Sequence, residues 1–215
     1  MILHVAATAT LLLGGILPET SQLEARWAIA GRWQFPVGDL RDFSGRVESD
    51  DRGYTVTRNV GGPSRHLGAD LSNRQAGGTV RAAAHGVVVL ASTADAGNGY
   101  GLHVVLAHRL PDGEIVFSVY AHLAPGTVVV RPGTRVVEGE TLGRVGATGD
   151  ATAPHLHFEV RAPRDPWQRW EKAEAVDPIA FVRARLPELR PETTWVSPYL
   201  DWSESAGLIC GPVDR

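Results

Sequence analysis

Residues 100–121 read YGLHVVLAHRLPDGEIVFSVYA, and this stretch carries the clearest sign of the fold class. Its two halves, Tyr100–Ala107 and Glu114–Ala121, are rich in β-branched and aromatic residues, which favour strands. Pro111-Asp112-Gly113 lies between them and is typical of a turn. The stretch therefore predicts two strands separated by a turn.

Short runs of the same kind lie on both sides of this stretch. The further predicted strands are Thr79–Ala83, His85–Ala91, Val128–Val130, Val136–Val137, Thr141–Val145 and Leu156–Val160. Because no helical pattern separates them, they predict an all-β-dominated fold, a compact antiparallel sheet closed into a sandwich or partial barrel. Beyond them, Asp177-Pro178 is typical of a helix N-cap followed by proline, and predicts a short C-terminal helix over 178–186.

The composition agrees with a folded, turn-rich chain. Of the 215 residues, 43% are hydrophobic and 21% are charged, which argues against a disordered chain. The 24 glycines and 14 prolines favour many turns over a helical bundle. The net charge of −3 argues against a strongly basic nucleic-acid binder, so we expect no nucleic-acid partner. Because Cys210 is the single cysteine, any metal site must use His, Asp or Glu.

The sequence predicts four segments. Residues 1–17 are mostly apolar but shorter than the ~20 residues that a membrane span needs, so they fit a secretory signal or an uncleaved membrane anchor. The alternatives are a misassigned start and an ordinary N-terminal element. A polar N-terminal extension covers 18–60, the β-rich domain covers 61–162, and a C-terminal extension with the short helix covers 163–215. An export signal would place the protein in the periplasm, in the cell envelope or outside the cell.

A first pair of candidate metal ligands lies at 66–70, His-Leu-Gly-Ala-Asp. An imidazole and a carboxylate are both zinc ligands, and Gly68 allows the chain to turn so that His66 and Asp70 face one point. The alternative interpretation is an exposed histidine and an aspartate that caps a helix.

A second group combines His155 and His157 with His122, which ends a predicted strand. Side chains two apart in a strand share a face, so the two imidazoles point the same way. They fit two ligands of one ion, one ligand beside a proton-transfer group, or two polar residues on a solvated face. With His66 and Asp70, one histidine of the pair would complete three protein ligands, the pattern of catalytic zinc.

Other polar residues near these motifs receive structural interpretations. His85 and His103 are interpreted as strand residues, and His108 as a structural or groove-lining residue. Glu159 is interpreted as a structural partner whose side chain points to the sheet face opposite the site.

Three motifs in order, HxxxD at 66–70, YAHL at 120–123 and PHLHFE at 154–159, resemble the lysostaphin/LytM-type zinc metallopeptidases of bacterial cell walls. Gly99-Tyr100-Gly101 and Thr148-Gly149 match further family positions, and the resemblance covers about half of the chain. It implies that one zinc ion is held by His66, Asp70 and His157 and flanked by the catalytic histidines His122 and His155. It also implies a compact antiparallel β domain with the site in a groove.

The resemblance implies a zinc endopeptidase that hydrolyses peptide bonds in peptidoglycan cross-links or stem peptides. Glycyl-glycine bridges and D-Ala–diaminopimelate links are both candidate bonds. The alternative is a non-catalytic envelope regulator that activates another cell-wall hydrolase. Related domains act in this way after losing zinc ligands, whereas this sequence has the full set, so we expect an enzyme.

Overall fold

A computed structural model describes residues 28–38, 54–61, 66–165 and 167–186. The predicted leader at 1–17 and Cys210 lie outside these ranges. The described strands are β1 Thr55–Arg58, β2 Ala69–Ser72, β3 Thr79–Arg81, β4 Gly86–Ala91, β5 Val104–Arg109, β6 Ile115–Ala121, β7 Arg135–Val136, β8 Thr141–Arg144, β9 Leu156–Ala162 and β10 Glu174–Val176. A 3-10 helix, Trp170–Lys172, precedes β10, and the helix α1, Pro178–Arg183, follows it.

Eight strands form one sheet in which every neighbouring pair is antiparallel. Seven follow the order β1-β2-β9-β6-β5-β4-β7, and β10 pairs with β9 beside the end of β2. The remaining two, β3 and β8, form a small antiparallel sheet. The predicted strand-dominated antiparallel fold with one short helix is therefore confirmed.

The stretch 100–121 forms the hairpin at the centre of the sheet. Val104 pairs with Tyr120 at one end and Arg109 pairs with Ile115 at the other. In the turn, the Gly113 N–H donates to the Leu110 carbonyl at 2.9 Å. Gly113 has a φ of 90°, which residues with a side chain rarely adopt, so the backbone conformation of the turn favours glycine at this position.

The two faces of the sheet are buried differently because neighbouring side chains in a strand alternate. Leu106, Tyr120 and Phe158 face the main core, where they are fully buried. Val105 and Val119 lie on the other face and form a smaller cluster with Trp170. The second face also carries the polar side chains of β9, which are His157, Glu159 and Arg161.

Residues 28–38, inside the predicted N-terminal extension, pack into the main core. The Trp33 ring contacts His108 and Phe181, at centroid distances of 4.6 and 4.9 Å. Phe35 is also fully buried. This segment therefore packs between β5 and α1. The division of the chain into four segments stays a prediction.

Helix α1 begins as the sequence predicts. Both the Ile179 and Ala180 N–H groups donate to Asp177 Oδ1, and Pro178 takes the first helical position. The helix ends at Arg183 instead of residue 186, because the Arg185 N–H bonds to the Val182 carbonyl and tightens the last turn. Within the described ranges no helix has the length and apolarity needed to cross a membrane.

The predicted strand Val128–Val130 is wrong. In this stretch the Val129 N–H donates to the Leu142 carbonyl at 3.1 Å, but no ladder forms, and Val129 is 66% exposed. Pro132 and the turn at Pro125-Gly126 confine the segment on both sides. The sequence also missed β1, β2 and β10, which are short and contain few β-branched residues apart from β1.

We expect Trp33→Ala to lower the free energy of unfolding by about 3–5 kcal/mol, because it removes a fully buried ring from the core. Trp167→Ala is the matched control, since Trp167 is 78% exposed and its loss should cost less than about 0.5 kcal/mol. Urea unfolding of both variants measures the difference. Equal losses would contradict the placement of residues 28–38 in the core.

Candidate metal centre

Three ligand atoms from distant parts of the sequence meet at one point. His66 Nε2 lies 3.1 Å from Asp70 Oδ1 and 3.1 Å from His157 Nδ1. His157 Nδ1 lies 2.8 Å from Asp70 Oδ1. A tetrahedral zinc ion with bonds of about 2.0–2.1 Å keeps its ligands about 3.3 Å apart, so a small expansion would admit an ion. Two imidazole nitrogens and one carboxylate oxygen are a donor set that zinc accepts.

The pairing of β2 with β9 brings two of these ligands together. Asp70 and His157 are directly opposite each other in the antiparallel register. Gly68 precedes β2 where the chain approaches β9 closely, and a Cβ there would lie 2.3 Å from the Phe158 carbonyl oxygen. Gly68 is therefore required by close contact with β9. Gly68 also lies in a bend between His66 and β2, as the sequence predicts.

Hydrogen bonds on the far side of each imidazole fix which nitrogen faces the site. His66 Nδ1 donates to the Asn59 carbonyl at 3.0 Å, which leaves Nε2 free to bind an ion. His157 Nε2 donates to Glu159 Oε1 at 2.9 Å, which leaves Nδ1 free. Asn59 is itself held, because its side-chain amide donates to Asp177 at the start of α1. Such outer partners orient metal-binding histidines in many proteins.

The charges of the site already favour a cation. Burial lowers the pKa of His157, but hydrogen bonds and charges from Asp70 and Glu159 outweigh it and raise the pKa to about 9. Burial raises the pKa of Asp70, yet the hydrogen bond from His157 and the neighbouring imidazoles bring it below its usual value. Without a metal ion, a proton on His157 therefore holds the position that a metal cation would take.

His122 stands beside the three ligands in an unusual backbone conformation. It follows the last residue of β6, Ala121, and has a φ of 62°, in the left-handed region. Its Nδ1 donates to the Thr148 carbonyl at 2.7 Å, which leaves Nε2 free. Burial, together with the nearby His155 and His157, lowers the pKa of His122 to about 4. The ring is therefore neutral at pH 7 and able to accept a proton.

His155 lies on the same side of the site. Its Nδ1 donates to the Ala153 carbonyl at 2.8 Å, and its Nε2 is 3.6 Å from Asp70 Oδ1. The rings of His155 and His122 are 4.6 Å apart between centroids. The structure thus brings all five candidate residues from the sequence together, with two free Nε2 atoms beside the three ligand atoms.

Two glycine loops hold the carbonyl that orients His122. Gly101 and Gly149 both have positive φ values, 60° and 71°, and pack against each other's backbone. A Cβ on Gly149 would lie 2.4 Å from the Gly101 nitrogen. The Thr148 hydroxyl accepts from the Leu102 N–H at 3.0 Å and donates to the Leu123 carbonyl at 2.8 Å. The Thr148 carbonyl therefore has a fixed position.

The other described histidines lie outside the ligand set. His108 is fully buried, donates from Nδ1 to the His85 carbonyl and accepts from the Ser118 hydroxyl at 2.7 Å, which is a structural role. His103 is buried beside Tyr100, and its Nδ1 donates to the Gly101 carbonyl. The His85 ring accepts from the Glu138 N–H.

The expected orientation of Glu159 is wrong. It lies two residues after His157 in the same strand, so the two side chains share a face. The carboxylate is fully buried and accepts hydrogen bonds from His157 and from the Tyr100 hydroxyl. The spacing of two residues between His157 and Glu159 could have predicted this shared face. No sequence pattern could have predicted the roles of Asn59 and Thr148, because each contacts a histidine through its backbone carbonyl.

Comparisons with known proteins agree with this architecture. A family model described as "Peptidase family M23" matches residues 64–178. The DD-carboxypeptidase/endopeptidase Mpg of Neisseria meningitidis is 37% identical over 101 residues, which are 47% of this chain and 21% of Mpg. The peptidoglycan DD-endopeptidase ShyA of Vibrio cholerae is 32% identical over 107 residues, 50% of this chain and 22% of ShyA.

The chain spans about a fifth of the length of these two relatives. Among solved structures, lysostaphin from Staphylococcus simulans superposes with a TM-score of 0.51 at 27% identity, over 67% of this chain and 55% of lysostaphin. The resemblance predicted from the three sequence motifs is therefore confirmed.

We expect Gly149→Ala to destabilise the protein more than Gly97→Ala, by about 1–3 kcal/mol. Both glycines have a positive φ, 71° and 66°, so the backbone strain introduced by alanine should be similar in the two variants. A Cβ on Gly97 meets no atom within 4 Å, whereas a Cβ on Gly149 meets the backbone of Gly99 and Gly101. Urea unfolding measures both losses, and equal values would contradict the tight contact of the two loops.

Proposed function

We propose that this chain, which belongs to peptidase family M23, is a zinc-dependent endopeptidase that hydrolyses peptide bonds in peptidoglycan. The observation that carries the proposal is the meeting of the ligand atoms of His66, Asp70 and His157 beside the free Nε2 atoms of His122 and His155. The similarity to Mpg and ShyA, both named as endopeptidases, supports the reaction class. The name of ShyA supports peptidoglycan as the substrate.

This substrate sets where the protein would act. Peptidoglycan lies outside the cytoplasm, so we propose that the protein acts in the periplasm, in the envelope or outside the cell. The predicted export signal or anchor at 1–17 agrees with this proposal and stays a prediction.

The residues present fit one zinc ion. His66, Asp70 and His157 would hold it with three bonds and leave a fourth position open, as catalytic zinc sites do. A zinc ion bound there would polarise a scissile carbonyl and make water a nucleophile near neutral pH. His122 and His155 lie beside the three ligand residues, which is the arrangement that proton transfer next to a bound ion would need.

His122 and His155 are the proposed proton-transfer residues. The backbone carbonyls at Thr148 and Ala153 accept from their Nδ1 atoms, so each ring can exchange a proton only at Nε2. The lowered pKa of His122 keeps its Nε2 unprotonated at pH 7, so that this atom is available to take a proton during the reaction. One of the two would stabilise the oxyanion or protonate the leaving amine.

The first test is incubation of the zinc-loaded protein with cross-linked muropeptides, glycine-bridged and diaminopimelate-linked, followed by mass spectrometry. We expect new fragments that disappear when a chelator is added, and their masses would identify the bond. No fragments from either material, with zinc bound, would contradict the proposed activity and favour the non-catalytic regulator.

Site variants separate metal binding from proton transfer. His66→Ala should lose both zinc and activity, because it removes a ligand. His122→Asn should keep zinc and lose at least about 100-fold in kcat, since asparagine tolerates the φ of 62° but cannot carry the proton. His85→Asn is the control and should keep both properties. Activity in zinc-free His66→Ala would contradict the mechanism.

Zinc binding should release about one proton at pH 7, because the pKa of His157 without metal is about 9 and Nδ1 must be deprotonated to bind. The apparent zinc affinity should then fall about tenfold for each pH unit below 9. Calorimetry in two buffers of different ionisation enthalpy measures the proton count. An affinity that stays constant between pH 6.5 and 8 would contradict the proposed role of His157.

A further inference from the structure

A buried ion pair and a half-buried tyrosine form a cluster next to the candidate metal ligands, on the second face of the sheet. It consists of Glu159, Arg161 and Tyr100. The Arg161 Nε–H donates to Glu159 Oε2, and Arg161 Nη2 donates to the Tyr100 hydroxyl at 2.9 Å. The Tyr100 hydroxyl in turn donates to Glu159 Oε1 at 2.9 Å. The three side chains therefore form a closed ring of hydrogen bonds.

The segment after β9 packs against this cluster. Arg161 Nη1 donates to the Ala173 carbonyl at 3.2 Å, next to the 3-10 helix Trp170–Lys172. The Trp170 ring lies 5.9 Å from the Arg161 guanidinium carbon and 5.9 Å from the Tyr100 ring centroid. Each of the three guanidinium nitrogens of Arg161 thus donates a hydrogen bond to a protein group.

Stability alone does not account for this cluster. The cluster borders an apolar part of this sheet face, where Val105, Val119 and Trp170 pack together. A buried ion pair in such surroundings is often no more stabilising than apolar side chains of the same volume, because both charges lose their hydration. Among the described residues, the Glu159 carboxylate accepts one further hydrogen bond from outside the cluster, from His157 Nε2 at 2.9 Å.

We propose that Glu159, held in place by Arg161 and Tyr100, is a positioning residue that keeps the His157 proton on Nε2 and directs the Nδ1 lone pair at the metal position. This inference rests on the proposed metal function and extends it to residues that touch neither metal nor substrate. A carboxylate is the strongest acceptor available for the imidazole N–H, and it also makes the opposite nitrogen a better ligand. Its oxygens cannot rotate away, because Arg161 and Tyr100 engage both of them.

Two double variants separate this role from a purely structural one. Glu159→Gln/Arg161→Met removes both charges but keeps an oxygen that can accept from His157. Glu159→Met/Arg161→Met removes the charges and the acceptor together, with a side chain of similar length. Zinc dissociation constants of both variants and of the full native chain are measured by competition with a chelator, and urea unfolding checks that both variants are folded.

We expect Glu159→Met/Arg161→Met to bind zinc 10–100-fold more weakly than Glu159→Gln/Arg161→Met, which is the usual effect of losing an outer partner of a metal ligand. Equal zinc affinities in two folded variants would overturn the positioning role while leaving the proposed function intact. A native chain that binds zinc no better than His66→Ala would overturn the proposed function, and this inference with it.

A second measurement needs no variant at the cluster. Long-range proton–nitrogen NMR of the zinc-loaded native chain reports which nitrogen of each histidine carries the proton. We expect the His157 proton on Nε2, protected from exchange by its bond to Glu159. A His157 proton on Nδ1, with Nε2 on the metal, would overturn the inference even if both double variants failed to fold.

Discussion

The antiparallel register between β2 and β9 is the constraint on which the candidate site depends. It places Asp70 directly opposite His157, so that backbone pairing alone brings their carboxylate and imidazole close together. A slip of one residue would turn every side chain of β2 to the other face and remove Asp70 from the site. Gly68 protects this register, because any side chain there would collide with the Phe158 carbonyl and push β2 away from β9.

The site also depends on the unequal faces of the large sheet. One face is filled by fully buried apolar side chains, such as Leu106 and Phe158, which anchor β5, β6 and β9. The other face carries a line of polar residues on β9, namely His157, Glu159 and Arg161, and Trp170 packs against the Arg161 end of this line. The apolar face fixes the strands, and the polar face can then hold its charges at defined distances.

Much of this architecture could be predicted from sequence, because its signals are local. The central hairpin follows from two β-rich runs around Pro111-Asp112-Gly113, and the start of α1 follows from Asp177-Pro178. Strands β1, β2 and β10 were missed because their pairing is set by β9 and by neighbours in space. Val128–Val130 was wrongly predicted as a strand, because its β-branched residues favour strands but pair with no neighbouring strand.

The candidate ligands followed from residue type and order, whereas their supporting contacts required the structure. Residue type and spacing suggest His66, Asp70 and one histidine of the 155/157 pair as ligands, and the family resemblance points to His157. Asn59 and Thr148, in contrast, act through backbone carbonyls that any residue carries. Glu159 was within reach of sequence reasoning, because residues two apart on a strand share a face.

Anomalous diffraction at the zinc absorption edge tests most directly whether His66, Asp70 and His157 hold one zinc ion, as we propose. In crystals of the zinc-loaded protein, we expect one peak within about 2.0–2.2 Å of His66 Nε2, Asp70 Oδ1 and His157 Nδ1. A peak bound elsewhere, or no peak at this position with zinc in excess, would contradict it.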